Sequence, residues 1–104
     1  MWTKTNTARL LRASDHAVER AMVDLYDRQV LNDKASVHAK RTNPRGFHAV
    51  HRITGSYYAI MVLAGRRLTG YHLASARNIA LQHASQLADE ANARADRNAE
   101  RAMP

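Results

Sequence analysis

The feature that most constrains the fold is a run of apolar residues at helical spacing near the N-terminus. The run continues to about Leu31, and it comprises Ala17, Val18, Ala21, Met22, Leu25 and Tyr26. Intervals of three and four residues are the period of an amphipathic α-helix. Just before the run, Ser14 offers an N-cap and Asp15 places an acid in the first turn. The pattern predicts a first helix that begins after Ser14.

Two more helices are predicted downstream, after a loop over residues 32–47. The second should begin near Phe47 or His48 and end at 64–65, with an apolar face of Val50, Ile53, Tyr57, Ile60, Met61 and Ala64. A short turn then leads to Thr69, which is a plausible N-cap for the third helix. The apolar stripe of the third helix consists of Leu73, Ala76, Ala80, Ala84, Leu87, Ala88 and Ala91.

Composition favours helices throughout, because the chain has only four Gly, two Pro and no Cys. A length of 104 residues indicates one domain. We therefore expect an all-α fold, either a three-helix bundle or a helix-turn-helix-like arrangement, with a long basic loop between helices 1 and 2. Residues 1–13 would be a lead-in segment, 14–91 a single helical domain, and 92–104 a charged tail or helix extension. The expected core is Val18, Met22, Leu25, Val50, Ile53, Tyr57, Ile60, Leu68, Leu73, Ala80 and Leu87.

No pattern of catalytic or cofactor-binding residues is visible, so we expect neither an enzyme nor a bound cofactor. Without cysteine there are no disulfides, thiolate metal sites or cysteine nucleophiles. No nucleotide-binding glycine motif and no nucleophile elbow occur. His48 and His51 would share a helix face, but the third ligand that a metal ion needs is missing. We therefore interpret the two residues as an exposed histidine pair. No metal site is expected.

The net charge of +7 comes entirely from the middle of the chain. Residues 34–88 contain eight Lys and Arg residues and no Asp or Glu. A field of one sign attracts a partner of opposite charge and speeds the encounter. An ordinary solvated basic surface is the alternative interpretation.

Candidate binding residues lie in and beside this segment. Cationic groups could contact phosphates, and exposed aromatic rings could stack on unpaired bases. The second and third helices also resemble a helix-turn-helix in layout, although an ordinary antiparallel hairpin fits too, and Phe47 could equally be a core anchor. The residues proposed for nucleic-acid or partner binding are Lys40, Arg41, Arg45, Phe47, Arg52, Tyr58, Arg66, Arg67, Tyr71, His72, Arg77 and Asn78.

Three segments in order resemble a small uncharacterised domain of bacteriophage and plasmid proteins. They are 18–29 (VERAMVDLYDRQ), 43–47 (NPRGF) and 63–77, which runs from LAGRRLT to LASAR. That domain occurs alone or beside helicase-like replication proteins. Pro44 and the pair Tyr71–His72 depart from its usual pattern. The resemblance implies a mobile-element accessory protein that acts inside a bacterium.

Two functions are therefore compatible with the sequence. The first is a non-enzymatic accessory protein that binds DNA or RNA through a basic surface. The alternative is a phage-encoded inhibitor of a bacterial defence complex, of the anti-CRISPR type, which binds an acidic or ribonucleoprotein host complex sterically. A homodimer through the third helix is plausible, because its stripe of small residues is long. No apolar run suits a membrane span and no signal peptide is visible, so we expect a cytoplasmic location.

Overall fold

The computed structural model describes residues 1–39, 46–47 and 49–102, and within these ranges all side chains except those of 32–39, 49 and 100–102. Over the described residues the chain forms five α-helices and no strand. They are α1 (Lys4–Ala13), α2 (Asp15–Ala39), α3 (Arg52–Leu63), α4 (Gly70–Gln82) and α5 (Ala84–Ala102), with a 3₁₀ turn at Ala49–His51 before α3. The all-α prediction is confirmed, but five helices replace the expected three.

The first thirteen residues differ most from expectation, because they contain α1 rather than an unstructured lead-in. A capping box begins this helix: Asn6 N donates to Thr3 Oγ1 at 3.2 Å, and Thr3 N donates to Asn6 Oδ1 at 2.6 Å. α1 packs against α5 at the other end of the chain. Only Thr7 and Leu11 are buried on α1, which explains why its apolar period was too weak to detect.

The start of α2 agrees with the sequence pattern. Ser14 caps it as predicted, since Ala17 N donates to Ser14 Oγ at 3.1 Å. The helix continues to Ala39, well beyond the expected end near Leu31, so part of the expected loop is helical. The basic loop residues Lys40, Arg41 and Arg45 lie outside the described residues.

The predicted third helix is two helices, α4 and α5, which meet at His83. The C-cap of α4 is His83, whose backbone N donates to Ala80 O at 3.0 Å. Its ring is buried and Nδ1 donates to Ile79 O at 2.8 Å. A buried side chain that bonds its own helix end stabilises the break. Thr69 precedes α4 as predicted, although its side chain makes no capping hydrogen bond.

The core lies between α2, α4 and α5, with one side of α3 against it. Six of the predicted core residues are buried: Val18, Met22, Leu25, Leu68, Ala80 and Leu87. Leu73 is partly buried against the cluster. The prediction was wrong for Val50, Ile53, Tyr57 and Ile60, which are all exposed. The neighbouring positions Gly55, Tyr58 and Ala59 face the core instead.

The small-residue stripe is used inside the protomer. Ala76, Ala80, Ala84 and Ala88 are each at most 3% exposed. Small side chains let helices approach closely, and here α4 and the start of α5 pack within their own chain. These four alanines are therefore covered within the protomer and do not support a dimer through this segment, which stays a prediction.

Gly46 and Phe47 form an anchored segment between α2, α3 and α5. The Gln86 side chain accepts from Gly46 N at 2.7 Å and donates to Gly46 O at 3.1 Å. Gly46 has φ +99°, and a Cβ there would lie 2.7 Å from the backbone N of Gln29. Only glycine suits both the positive φ and the close approach of the Gln29 backbone. The Phe47 ring beyond it is 4% exposed and packs against Gly55.

Candidate functional site

The outer side of α3 is an apolar surface, which we call the α3 face. Its members succeed one another at intervals of three or four residues, so they share one side of the helix. Ile53 is 86% exposed and Val50 is 80% exposed, and the others are all more than half exposed. The α3 face consists of Val50, Ile53, Tyr57, Ile60 and Leu63.

Both sides of α3 are apolar, and this explains the misplaced core. Gly55, Tyr58 and Ala59 cover the side that packs on the protein. A surface helix ordinarily carries charged and polar residues on the opposite side, whereas a helix that is hydrophobic all round is buried. In the isolated chain only one side of α3 is covered. The α3 face therefore has the composition of a buried surface, although it is exposed in the isolated chain.

Aromatic rings at the start of α4 extend the α3 face. The ring centroid of Tyr57 lies 6.5 Å from that of His72, and the His72 centroid lies 5.9 Å from that of Tyr71. Tyr71 is 80% exposed and His72 is also exposed. Tyrosine is enriched among the residues that dominate binding energy at interfaces. The exposed rings therefore add an aromatic end to the apolar surface.

The cations of the acid-free segment are not all available to a ligand. Arg77 donates from Nε to Leu11 O at 2.9 Å and forms a salt bridge with Asp15. Arg67 Nε lies 3.4 Å from the buried Glu19 Oε1. Carboxylates of α2 therefore neutralise two of the arginines that the sequence assigned to one continuous basic surface.

Two exposed arginines among the described residues of this segment lie near the ends of α3. Arg52 is exposed in its first turn, and Arg66 is exposed just after its C-terminus. Gly65, at φ +86°, ends the helix as predicted, and Arg66 N donates to Met61 O at 3.0 Å. The apolar surface thus has positive charge towards both ends, and no residue of α3 or α4 is acidic.

The proposed binding residues fall into four groups. Phe47 and Tyr58 are buried, so neither can stack on a base as it stands. Lys40, Arg41 and Arg45 lie outside the described residues. Arg77 is half-buried, and Arg67 is exposed but ion-paired. The exposed residues of the set, besides Arg67, are Arg52, Arg66, Tyr71, His72 and Asn78.

The sequence interpretation missed the α3 face as a functional surface. The sequence does indicate this surface, because α3 has more apolar residues than one buried side of a helix can hold. Tyr57 and Tyr58 already required that one of the two rings point away from the core. A count of apolar residues around the whole helix, rather than a search for one stripe, would have indicated a second contact surface.

Clusters of metal ligands and membrane-spanning helices are both absent from the described part of the chain. Residues 1–39, 46–47 and 49–102 contain no group of three or more His, Asp or Glu side chains placed to hold an ion. His48, one of the histidine pair, lies outside the described residues. Among the helices described, none is both long and apolar enough to span a bilayer.

No protein-family model, curated protein or solved structure matches this chain. The geometry of the described residues is therefore what any functional proposal has to rest on.

Proposed function

We propose that this chain is a non-enzymatic binding protein that docks on another protein through the α3 face. The observation that carries the proposal is the exposure of Val50, Ile53, Tyr57, Ile60 and Leu63 on one side of one helix. Exposed apolar patches larger than a few hundred Å² mark interaction sites on proteins that are otherwise monomeric. Tyr71 adds a sixth large exposed apolar side chain to this patch.

The partner that fits best has an apolar centre and acidic residues around it. Arg66 is exposed just beyond the C-terminal end of the α3 face, and α3 and α4 contain no acid. Opposite charges around an apolar contact favour encounter and fix orientation. A second copy fits less well, because a symmetric contact would bring the same arginines of both copies together. We therefore favour a different, acidic protein.

Docking through an apolar face is how a phage protein of the anti-CRISPR type would inhibit a bacterial defence complex sterically. The resemblance to a phage and plasmid domain motivates that context, and with it an action inside the bacterial cytoplasm. Docking by an apolar face requires no catalytic residues, and it blocks a partner by occupying its surface.

We expect the Ile53→Glu variant to lose binding to the partner at least tenfold without losing stability. A carboxylate at the centre of an apolar contact is costly to bury, whereas substitution of an exposed residue changes unfolding free energy by only about 0.5 kcal/mol. Leu31→Glu is the control, because Leu31 is also more than half exposed but lies on α2. Purified wild type and both variants would be used for capture from nuclease-treated bacterial lysate, followed by reconstitution with the purified partner.

The proposal requires a stoichiometric partner that binds wild type and the Leu31→Glu variant but not the Ile53→Glu variant. Its reconstituted affinity should fall as salt rises, since acidic residues surround the contact. Sedimentation of the wild type alone should give a monomer. A dimer that Ile53→Glu dissociates would mean that a second copy covers the face, and equal capture by all three proteins would contradict docking there.

Nucleic-acid binding is the second candidate, and the exposed Arg66 close in sequence to the exposed Tyr71 favours it. If Arg66 contacts a phosphate, Arg66→Ala should flatten the slope of log affinity against log salt by about 0.9 for duplex DNA. Arg77→Ala should leave the slope unchanged, because Arg77 is tied to Asp15 and Leu11 O. Fluorescence anisotropy with labelled DNA and RNA measures both. Absence of binding at about 50 mM salt would remove this candidate.

A further inference from the structure

A groove of about 540 Å³ runs between α1, α2 and α5, and none of its lining residues belongs to α3 or α4. Its volume lies in the range of about 300–1,000 Å³ that small-molecule sites occupy. The groove is mostly apolar, and its apolar walls are formed by Leu10, Leu11, Ala17, Leu87 and Ala91. Such walls suit the apolar body of a ligand.

The N-terminal residues form a fixed edge of this groove. Trp2 lines it, and the Trp2 backbone is held by the Asn92 side chain. Trp2 N donates to Asn92 Oδ1 at 2.8 Å, and Asn92 Nδ2 donates to Trp2 O at 2.8 Å. The Trp2 side chain is 39% exposed. The edge is therefore built by paired hydrogen bonds, and the indole has one side available for contact.

A hydroxyl group in the wall of the groove has no partner. Thr7 lines the groove and is 7% exposed, and its Oγ1 is buried without a hydrogen-bond partner among the described residues. A buried hydroxyl that makes no hydrogen bond costs free energy, so natural sites seldom leave one. Because this oxygen is fully buried, it lies beside the groove rather than on its open surface.

The charges around the groove favour an anion. Arg20 lines it, is exposed, and forms no ion pair within the described ranges. Arg94 also lines it, with Nη2 at 3.4 Å from Asp24 Oδ1. The lining thus contains two arginines and one carboxylate, and Arg20 is the arginine that no carboxylate of the described residues pairs with.

We propose that this groove binds a small amphipathic anion, whose apolar body lies along α1 and α5 and whose carboxylate lies at Arg20. A guanidinium group recognises a carboxylate by charge-assisted hydrogen bonds. This site is independent of the α3 face, because the two share no residue.

The experiment uses octanoate as the probe and Trp2, the only tryptophan of the chain, as the reporter. Titration of the full chain should shift the Trp2 emission saturably, and calorimetry should give the same affinity. Hexanoate should bind several-fold more weakly for each methylene removed, since the apolar body is buried. Neutral 1-octanol should bind at least about tenfold more weakly than octanoate, because it lacks the charge.

Three variants decide the outcome. Arg20→Gln should weaken octanoate binding about tenfold or more, since a hydrogen bond between charged groups is lost. Arg9→Gln is the matched control on α1, because Arg9 is exposed and does not line the groove. Ile53→Glu should bind octanoate like the wild type. Circular dichroism verifies that each variant is folded.

The inference fails if octanoate produces no saturable change by fluorescence and calorimetry. It also fails if Arg20→Gln binds as tightly as Arg9→Gln, or if Ile53→Glu abolishes binding, which would place the ligand on the α3 face. None of these results bears on whether a protein docks at α3, because that proposal is tested by partner capture.

Discussion

We expect the Phe47→Ala variant to lose about 3–5 kcal/mol of unfolding free energy, because truncating a buried phenylalanine leaves a cavity. The Phe47 ring is 4% exposed and packs edge-on against His83, with 6.0 Å between ring centroids. Domains of this size are stable by about 5–15 kcal/mol, so the loss would be a large part of the total. Urea unfolding followed by circular dichroism measures it.

Tyr57→Ala is the control for this measurement, because it removes an aromatic ring that is 54% exposed. Its unfolding free energy should differ from the wild type by less than about 1 kcal/mol. If Phe47→Ala and Tyr57→Ala are equally stable, the Phe47 ring does not anchor the segment before α3, and the described packing is wrong at this point.

The same contact can be tested from the other side at Gly55. A Cβ at Gly55 would lie 2.6 Å from Phe47 Cζ, which is closer than atoms can pack. Alanine gains about 1 kcal/mol of helix propensity over glycine, but overpacking costs about 1–3 kcal/mol. We therefore expect Gly55→Ala to be destabilising in the wild type and less so beside Phe47→Leu. A double-mutant cycle gives the coupling between the two positions.

Replacement of Glu19 by leucine should cost about 2–3 kcal/mol of unfolding free energy, because a buried backbone donor loses its acceptor. Glu19 is 5% exposed, and its Oε2 accepts from Leu68 N at 2.8 Å. Leucine keeps most of the volume but offers no acceptor. The bond joins α2 to the connection between α3 and α4, so we also expect amide exchange at Leu68 to accelerate. Urea unfolding and hydrogen exchange measure the two effects.

Two further variants separate the contributions at this position. Glu19→Gln retains an oxygen acceptor for Leu68 N and loses only the charge, so it should cost less than Glu19→Leu. Arg67→Ala should cost at most about 1 kcal/mol, because the Arg67 side chain is 76% exposed and exposed ion pairs contribute little. If Arg67→Ala is as damaging as Glu19→Leu, the ion pair rather than the backbone bond holds the connection.

Local patterns predicted the parts of the fold that local physics determines. Ser14 is a cap because its side chain lies three residues from the amide that it accepts from. Val18, Met22 and Leu25 are buried because only one side of α2 offers a wide apolar surface to the core. The turns at Gly46 and Gly65 have the positive φ that their glycines permit.

The remaining features depend on contacts that no short window of sequence contains. A period of three and four residues finds one apolar side of a helix, but it cannot say which side of α3 faces the protein when both are apolar. The break at His83 follows from the burial of that ring and its bond to Ile79 O. α1 has a local start signal in its Thr3–Asn6 capping box, but its position depends on packing against α5, which lies far away in sequence.

The candidate site was only partly predictable, because some of its contacts join residues that are distant in sequence. The acid-free segment is visible in the sequence, and Arg52, Arg66, Tyr71, His72 and Asn78 are exposed as a binding role requires. The pairing of Arg77 with Asp15 spans 62 residues, and Arg67 meets Glu19 only in the folded chain. Net charge by segment therefore overstates the positive surface available to a ligand.

The contact between α1 and α5 has a consequence for folding during synthesis. α1 leaves the ribosome before its partner helix α5, which carries the Asn92 side chain that holds the Trp2 backbone. Domains assemble as their segments emerge, at about 5–20 residues per second. Leu11 and the rest of α1 therefore lack their α5 contacts until α5 has been translated, and ribosome-stalled chains that lack α5 should be cleaved by proteases within α1 more readily than the folded protein.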